Sequence, residues 1–270
     1  MTSFIDSPRL PTIDLSLFDL GDPWRDHVAA QIDWAATEFG IFRIIGHGVD
    51  RSLVDSLVAW GGRYFSREDA AARREDLSFD EAFMVDDGHS SVSPSGISRD
   101  VLVQLPGFRD CIRDYMTALT GLGHRLMTSF SRGLRLGDNY FVDRYTSGAA
   151  IQFRIAQQSG AARPGLLTIL NHDESSGLEV QYGERLIETP YVPGALICSV
   201  DDLLSRLTAG RYARAHYRVV SGSRHPSLAL PFSFGPRIDA ALTSIAAVDP
   251  RTARWHPPAV TDLRVRERAR

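Results

Sequence analysis

Imidazole, carboxylate and phenol groups carry most of the chemistry open to this sequence, and they fall in few places. His172-Asp173-Glu174 joins one imidazole to two carboxylates directly after the apolar run Leu166–Leu170; these donor types suit a divalent metal. His216 and Tyr217 stand side by side before Arg218-Val219. An imidazole exchanges protons near neutral pH, and a phenol can donate to a developing oxyanion. Elsewhere His47 lies in a Gly46-His47-Gly48 turn, His124 in a helical segment, His89 in a Ser/Gly-rich stretch and His256 before Pro257-Pro258. Cys198, in the run Ala195-Leu196-Ile197-Cys198, reads as a small core residue. With Cys111 it makes two cysteines in all, too few for a disulfide framework or a four-thiolate metal site. A reducing cytoplasm is therefore the expected compartment.

All 30 basic residues are arginine. The missing lysine excludes a Schiff-base lysine, a pyridoxal-phosphate anchor and a phosphate-loop lysine. Acidic residues number 33, for a net charge of -3, so no basic excess calls for nucleic acid. At 43% hydrophobic and 23% charged the composition is that of a soluble globular protein. No apolar run approaches the ~20 residues of a membrane span, and Met1-Thr2-Ser3-Phe4 lacks the cationic start of a signal peptide. Arginine-only usage also suggests a high-GC bacterial coding sequence. The expected molecule is a cytoplasmic monomer or homodimer acting on a small molecule, with no nucleic-acid or membrane partner.

Periodicity indicates the elements that must position these residues. Pro11-Thr12-Ile13-Asp14-Leu15 reads as a short strand. After Asp22-Pro23, Val28, Ile32, Ala35, Ala36 and Phe39 recur at helical spacing from Trp24 to Phe39, and Gly40 ends the helix. Ile41–Ile45 is an apolar strand. A second helix runs from Arg51 to Phe65, with Leu53, Val54, Leu57, Val58 and Trp60 on its apolar side. Residues 66–100 are charged, then Ser/Gly-rich, and read as a mobile connection; 88–97 within it reads as a lid or docking loop. A long helix spans about Gly107 to Leu134. After Arg135, short apolar runs alternate with turn signals, at Ala150–Ala156, Leu166–Leu170, Gly177–Gln181, Gly194–Val200, Tyr217–Val220 and Leu228–Phe234. That texture argues for an antiparallel barrel or sandwich over βαβ units. Asp201-Asp202 reads as the cap of a helix at Leu203-Leu204.

Several of these blocks resemble a known family. Pro11-Thr12-Ile13-Asp14-Leu15, Glu38-Phe39-Gly40-Ile41-Phe42 and Ile45-Gly46-His47-Gly48-Val49 are similar to the N-terminal region of the isopenicillin N synthase-like iron(II)/2-oxoglutarate dioxygenases. Gly165-Leu166-Leu167-Thr168-Ile169-Leu170, Gly177-Leu178-Glu179-Val180, Val192-Pro193-Gly194-Ala195-Leu196, Asp201-Asp202-Leu203-Leu204 and Thr208-Ala209-Gly210-Arg211-Tyr212 follow the family's core in order. The resemblance covers nearly the whole chain. It implies an α+β fold with a double-stranded β-helix (jelly-roll) core and N-terminal flanking helices. Residues 1–100 would form a helical and strand region packed on the barrel. Residues 101–270 would hold the long helix, the jelly-roll core and a C-terminal tail, the whole being one compact unit.

The family's chemistry rests on a 2-His-1-carboxylate triad, and here the resemblance breaks. Its His-x-Asp pair belongs four and two residues before Gly165, where Ala161 and Arg163 stand. Its distal histidine belongs where Tyr217 stands, with His216 one position early. A methyl group cannot ligate iron and a guanidinium repels it, so no metal is expected at Ala161, Arg163 and Tyr217. The co-substrate elements are eroded too. The family's tyrosine falls at Gln158, after Arg154, and its carboxylate-clamping arginine is either displaced to Arg224 or replaced by His225. A one-residue slip in a strand reverses facing, although a bulge at Pro226 could restore it.

These departures yield a defined set of expectations. Arg163, Tyr217 and His216 are the candidate catalytic residues, and Arg154, Gln152, Gln158 and Arg224 the candidate substrate-binding residues. Arginine is a fixed cation that anchors or polarises an anionic or carbonyl-bearing ligand, and Tyr217 supplies a proton donor. No cofactor is expected. The reading is a metal-independent cyclase, isomerase or lyase step in bacterial natural-product biosynthesis. One alternative is an active oxygenase with Fe(II), 2-oxoglutarate and displaced ligands such as His216, His172 and Asp173. Against it, His172 lies roughly 16 Å from Arg163 along an extended strand at ~3.3 Å per residue. The other alternative is a non-catalytic binding or partner protein.

Overall fold

A computed structural model of the chain describes residues 9–66, 76–80, 107–156, 165–172, 176–221, 228–242 and 245. The three long helices form where 3.6-residue spacing predicts them: α1 (Trp24–Glu38), α2 (Arg51–Phe65) and α3 (Phe108–Gly133). Asp50 caps α2, its carboxylate accepting the Ser52 N–H at 2.8 Å. Such a cap satisfies a backbone donor that the first helical turn leaves unpaired. A short helix α4 (Asp202–Leu207) follows the later strands.

The described residues also hold ten strands: β1 (Thr12–Asp14), β2 (Ile41–Ile45), β3 (Leu77–Asp80), β4 (Ala150–Ile155), β5 (Leu167–His172), β6 (Ser176–Tyr182), β7 (Arg185–Thr189), β8 (Leu196–Val200), β9 (Tyr217–Ser221) and β10 (Ala229–Gly235). They form a seven-stranded sheet in the order β1-β2-β8-β5-β10-β4-β3 and a three-stranded sheet in the order β7-β6-β9. Strand pairing is antiparallel throughout except between β1 and β2. Two short strands depart from the sequence reading. β3 falls inside the stretch 66–100 read as a connection and pairs along the edge of the large sheet with β4; the segment 88–97 lies outside the described residues. β7 is an edge strand whose exposed Arg185 and Glu188 break any apolar run, and Gly183 at φ 59° turns the chain into it from β6.

The two faces of the large sheet have different work. One face carries Phe79, Phe153, Phe232, Ile169 and Cys198 into the main core under the helices. There Phe153 meets Tyr115 of α3 edge-on at 5.1 Å between ring centroids. Gly123 of α3 makes room for Phe234, since a Cβ at that position would lie 2.7 Å from the ring. The opposite face turns toward the small sheet, where Leu170, Ile197, Ile41 and Ala229 join Leu178 and Val180 in a second apolar cluster. Alternation along each strand thus separates a helix-facing layer from a barrel interior. Among the described residues no helix is long and apolar enough to cross a membrane.

Candidate functional site

Polar side chains enter the barrel interior on a single row of strand pairs. Ser199 of β8 lies opposite Thr168 of β5, Thr168 opposite Ser233 of β10, and Ser233 opposite Gln152 of β4. Gln152 donates through Nε2 to the Ser78 hydroxyl of β3 at 2.9 Å. Thr168, Ser199 and Ser233 are buried. Buried hydroxyls in an apolar barrel cost free energy unless they bond to something, and here the Thr168 hydroxyl donates to Asp201 at 2.9 Å and the Ser199 hydroxyl to the Thr168 carbonyl at 3.5 Å. A cavity of about 200 Å³ opens at the end of the row, lined by Gln152, Ser233 and Gly165 and closed by Leu203, Arg237 and Leu242.

Two titratable groups meet this row. Tyr217 begins β9 opposite Val180 of β6 and reaches across the interior, where its phenol pairs with the Ser199 side chain. Burial, reinforced by the nearby Asp201 carboxylate, pushes the phenol up to about 12, so it stays protonated. Asp201 follows β8 and opens α4, yet its side chain makes no capping hydrogen bond. Instead its Oδ2 accepts the Thr168 hydroxyl at 2.9 Å, and the Gly165 N–H also bonds to it. Burial pushes this carboxyl up to about 6, against the lowering effect of the Thr168 and Gly165 bonds and of Arg214. This corrects the expectation that Asp201 serves as a cap.

The chain leading into Tyr217 is held by a second polar cluster. Arg211 places Nη2 2.9 and 2.8 Å from the two oxygens of Asp33 on α1, and the Tyr212 hydroxyl donates to the same carboxylate at 2.8 Å. This ties the loop between α4 and β9 to the helical layer and fixes where β9 starts.

The other sequence candidates are scattered. His216 is exposed, one position from Tyr217 and on the opposite side of the strand; its carbonyl accepts the Gln181 N–H at 2.8 Å. The structure does not bring this imidazole to the cluster, a correction to its expected catalytic place that follows from strand alternation. Arg154 shares the Gln152 face but is held in an ion pair with Asp76. His172 ends β5, away from Thr168. Arg163, Ala161, Gln158, Arg224, His225 and Asp173 lie outside the described residues.

With this geometry in hand, comparison with known proteins gives a consistent result. Residues 10–74 match the model described as the N-terminal region of the non-haem dioxygenase in morphine synthesis. Residues 144–236 match that of the 2OG-Fe(II) oxygenase superfamily. Among curated relatives, a 1-aminocyclopropane-1-carboxylate oxidase of Dictyostelium mucoroides is 25% identical over 87% of this chain and 84% of its own. A full-length Neurospora crassa protein, solved in complex with alpha-KG, superposes with a TM-score of 0.72 at 14% identity over 92% of each chain. The rice dioxygenase for auxin oxidation does so with a TM-score of 0.69 at 20% identity, over 88% of this chain and 87% of its own. The fold is thus the double-stranded β-helix of these oxygenases.

The same matches overturn the expectation that no cofactor is involved. The superfamily whose model fits residues 144–236 is defined by Fe(II) and 2-oxoglutarate, and these are the cofactors it implies here. The described side chains do not by themselves fit a 2-His-1-carboxylate triad. Among the described residues no three His, Cys, Asp or Glu side chains gather where they could hold a metal ion. Among the described residues the interior offers the Asp201 carboxylate, already bonded to Thr168 and Gly165, and the protonated Tyr217 phenol.

Proposed function

This chain belongs to the 2OG-Fe(II) oxygenase superfamily, and on that premise we propose that it is a small-molecule enzyme whose barrel interior carries a proton-transfer pair in Tyr217 and Asp201. The step it carries out is an isomerisation, cyclisation or elimination, in bacterial natural-product biosynthesis. One observation carries this reading: the Asp201 carboxylate turns away from the helix it opens and lies with Thr168 beside the protonated Tyr217. A carboxyl poised near 6 and a phenol near 12 on one wall form an acceptor–donor pair. The carboxylate takes a proton from the substrate, and the phenol donates to the oxygen on which negative charge develops. Gln152 and Ser233, at the cavity, hold the substrate's polar atoms. Arg163, with Gln158 and Arg224, supplies fixed charge and hydrogen bonds to an anionic or carbonyl group.

The deciding experiment is turnover by Tyr217→Phe and Arg163→Ala proteins in the presence of Fe(II) and 2-oxoglutarate. Loss of a hundredfold or more in the phenylalanine variant is expected, the scale on which a positioned proton donor acts. Unchanged turnover in both variants would remove the assignment. A second reading, hydroxylation of a small molecule with consumption of 2-oxoglutarate, is favoured by the superfamily matches themselves; it would release succinate in step with product.

A further inference from the structure

A second cavity lies across the large sheet from the barrel row, and it is independent of the chemistry proposed above. It measures about 320 Å³ and is walled by Val49, Val54 and Val58 beside Leu196, with His47 and Asn171 facing in. Asn171 comes three residues after Thr168 on β5, so it projects from the helix side of the strand. Its side-chain amide makes no hydrogen bond among the described residues.

The lining carries no net charge. His47 has both ring nitrogens engaged: Nε2 lies 2.8 Å from the Gly194 carbonyl, and Nδ1 accepts the Val49 N–H at 3.1 Å. Those two bonds fix the neutral tautomer, and burial lowers the pKa in the same sense. At the rim Arg51 and Asp55 offset one another, 3.8 Å apart and both exposed. A volume at the lower end of small-molecule pockets, largely apolar walls, the Tyr191 side chain and the Asn171 amide define the occupant by chemistry. An ion would lose its hydration there without a counter-charge.

We propose that this cavity is a binding site for a small, uncharged, largely apolar molecule, aromatic or aliphatic, that hydrogen-bonds to the Asn171 amide.

The test uses the full-length protein and two probes, indole and 1-methylindole, followed by calorimetry and by amide chemical-shift mapping. Saturable one-to-one binding of indole is expected, with the largest shifts at Val49, Val58 and Asn171. Val58→Trp, which fills the cavity, should abolish binding of both probes. Asn171→Leu should weaken indole about tenfold and leave 1-methylindole nearly unchanged, because only indole has an N–H to donate. Far-UV circular dichroism verifies that each variant folds, and the leucine variant stands alone if the tryptophan variant does not. Absence of saturable binding, equal indole affinity in wild type and Asn171→Leu, or shifts centred on Gly165, Thr168 and Ser199 would each overturn the proposal.

Discussion

Replacing Asp201 with asparagine keeps the shape and an oxygen for Thr168 and Gly165 but removes the charge, so its effect on stability must depend on pH. The carboxyl rises from 3.8 to about 6 on folding. A raised folded pKa means that the native state binds the proton more tightly than the unfolded chain. Stability from this group is therefore greatest when it is protonated and falls as pH climbs from about 4 to about 6, after which the loss is complete. At about 1.4 kcal/mol per unit, a two-unit shift corresponds to about 3 kcal/mol in all. Between pH 5 and pH 7.5 about 1.4 kcal/mol of that is lost. Asp201→Asn lacks this term and keeps every other titration, so its unfolding free energy minus that of wild type should grow by about 1.4 kcal/mol over the interval. Urea denaturation of both proteins at the two pH values measures it. A constant difference would mean that the carboxyl is ionised in the native state across the interval, with a pKa no higher than in water, and an interior, burial-raised Asp201 would be refuted.

Two further outcomes follow from the packing. Asp33→Ala leaves the Arg211 guanidinium and the Tyr212 hydroxyl without their shared partner in a site where both Asp33 and Arg211 side chains are only 17% exposed; a loss of about 3 kcal/mol is expected, read by chemical denaturation. Gly123→Val drives a branched side chain into the Phe234 ring, where even a Cβ would lie at 2.7 Å. A drop of at least about 2 kcal/mol is expected by thermal unfolding, and a neutral result would mean that α3 does not press on β10.

How much of this was legible depended on whether a residue's place is set locally. α1, α2 and α3 were readable because their apolar residues recur every turn over fifteen residues or more. β3 and β7 were not, because edge strands of four and five residues carry charged or polar side chains outward and owe their existence to a neighbour. Alternation along β9 explains why Tyr217 packs inward while His216 is exposed. Asp201 was missed because a cap and an interior carboxylate look alike in sequence. Only the pairing of β8 with β5, which brings Thr168 next to it, distinguishes them. The cofactor expectation failed for a different reason: it extrapolated from the substituted positions alone, against a superfamily match that spans β4 to β10.

The most direct measurement is a mass balance on the product. Full-length protein is incubated with a bacterial small-molecule extract, Fe(II), 2-oxoglutarate and ¹⁸O-labelled dioxygen, and substrate and product are paired by mass spectrometry in wild type and Tyr217→Phe. The expected product has the mass of its precursor, or is lighter by an eliminated fragment, carries no label and is missing from the Tyr217→Phe reaction. A product heavier by one labelled oxygen, formed with an equivalent of succinate, would contradict proton-transfer chemistry at Tyr217 and Asp201 and establish an oxygenase.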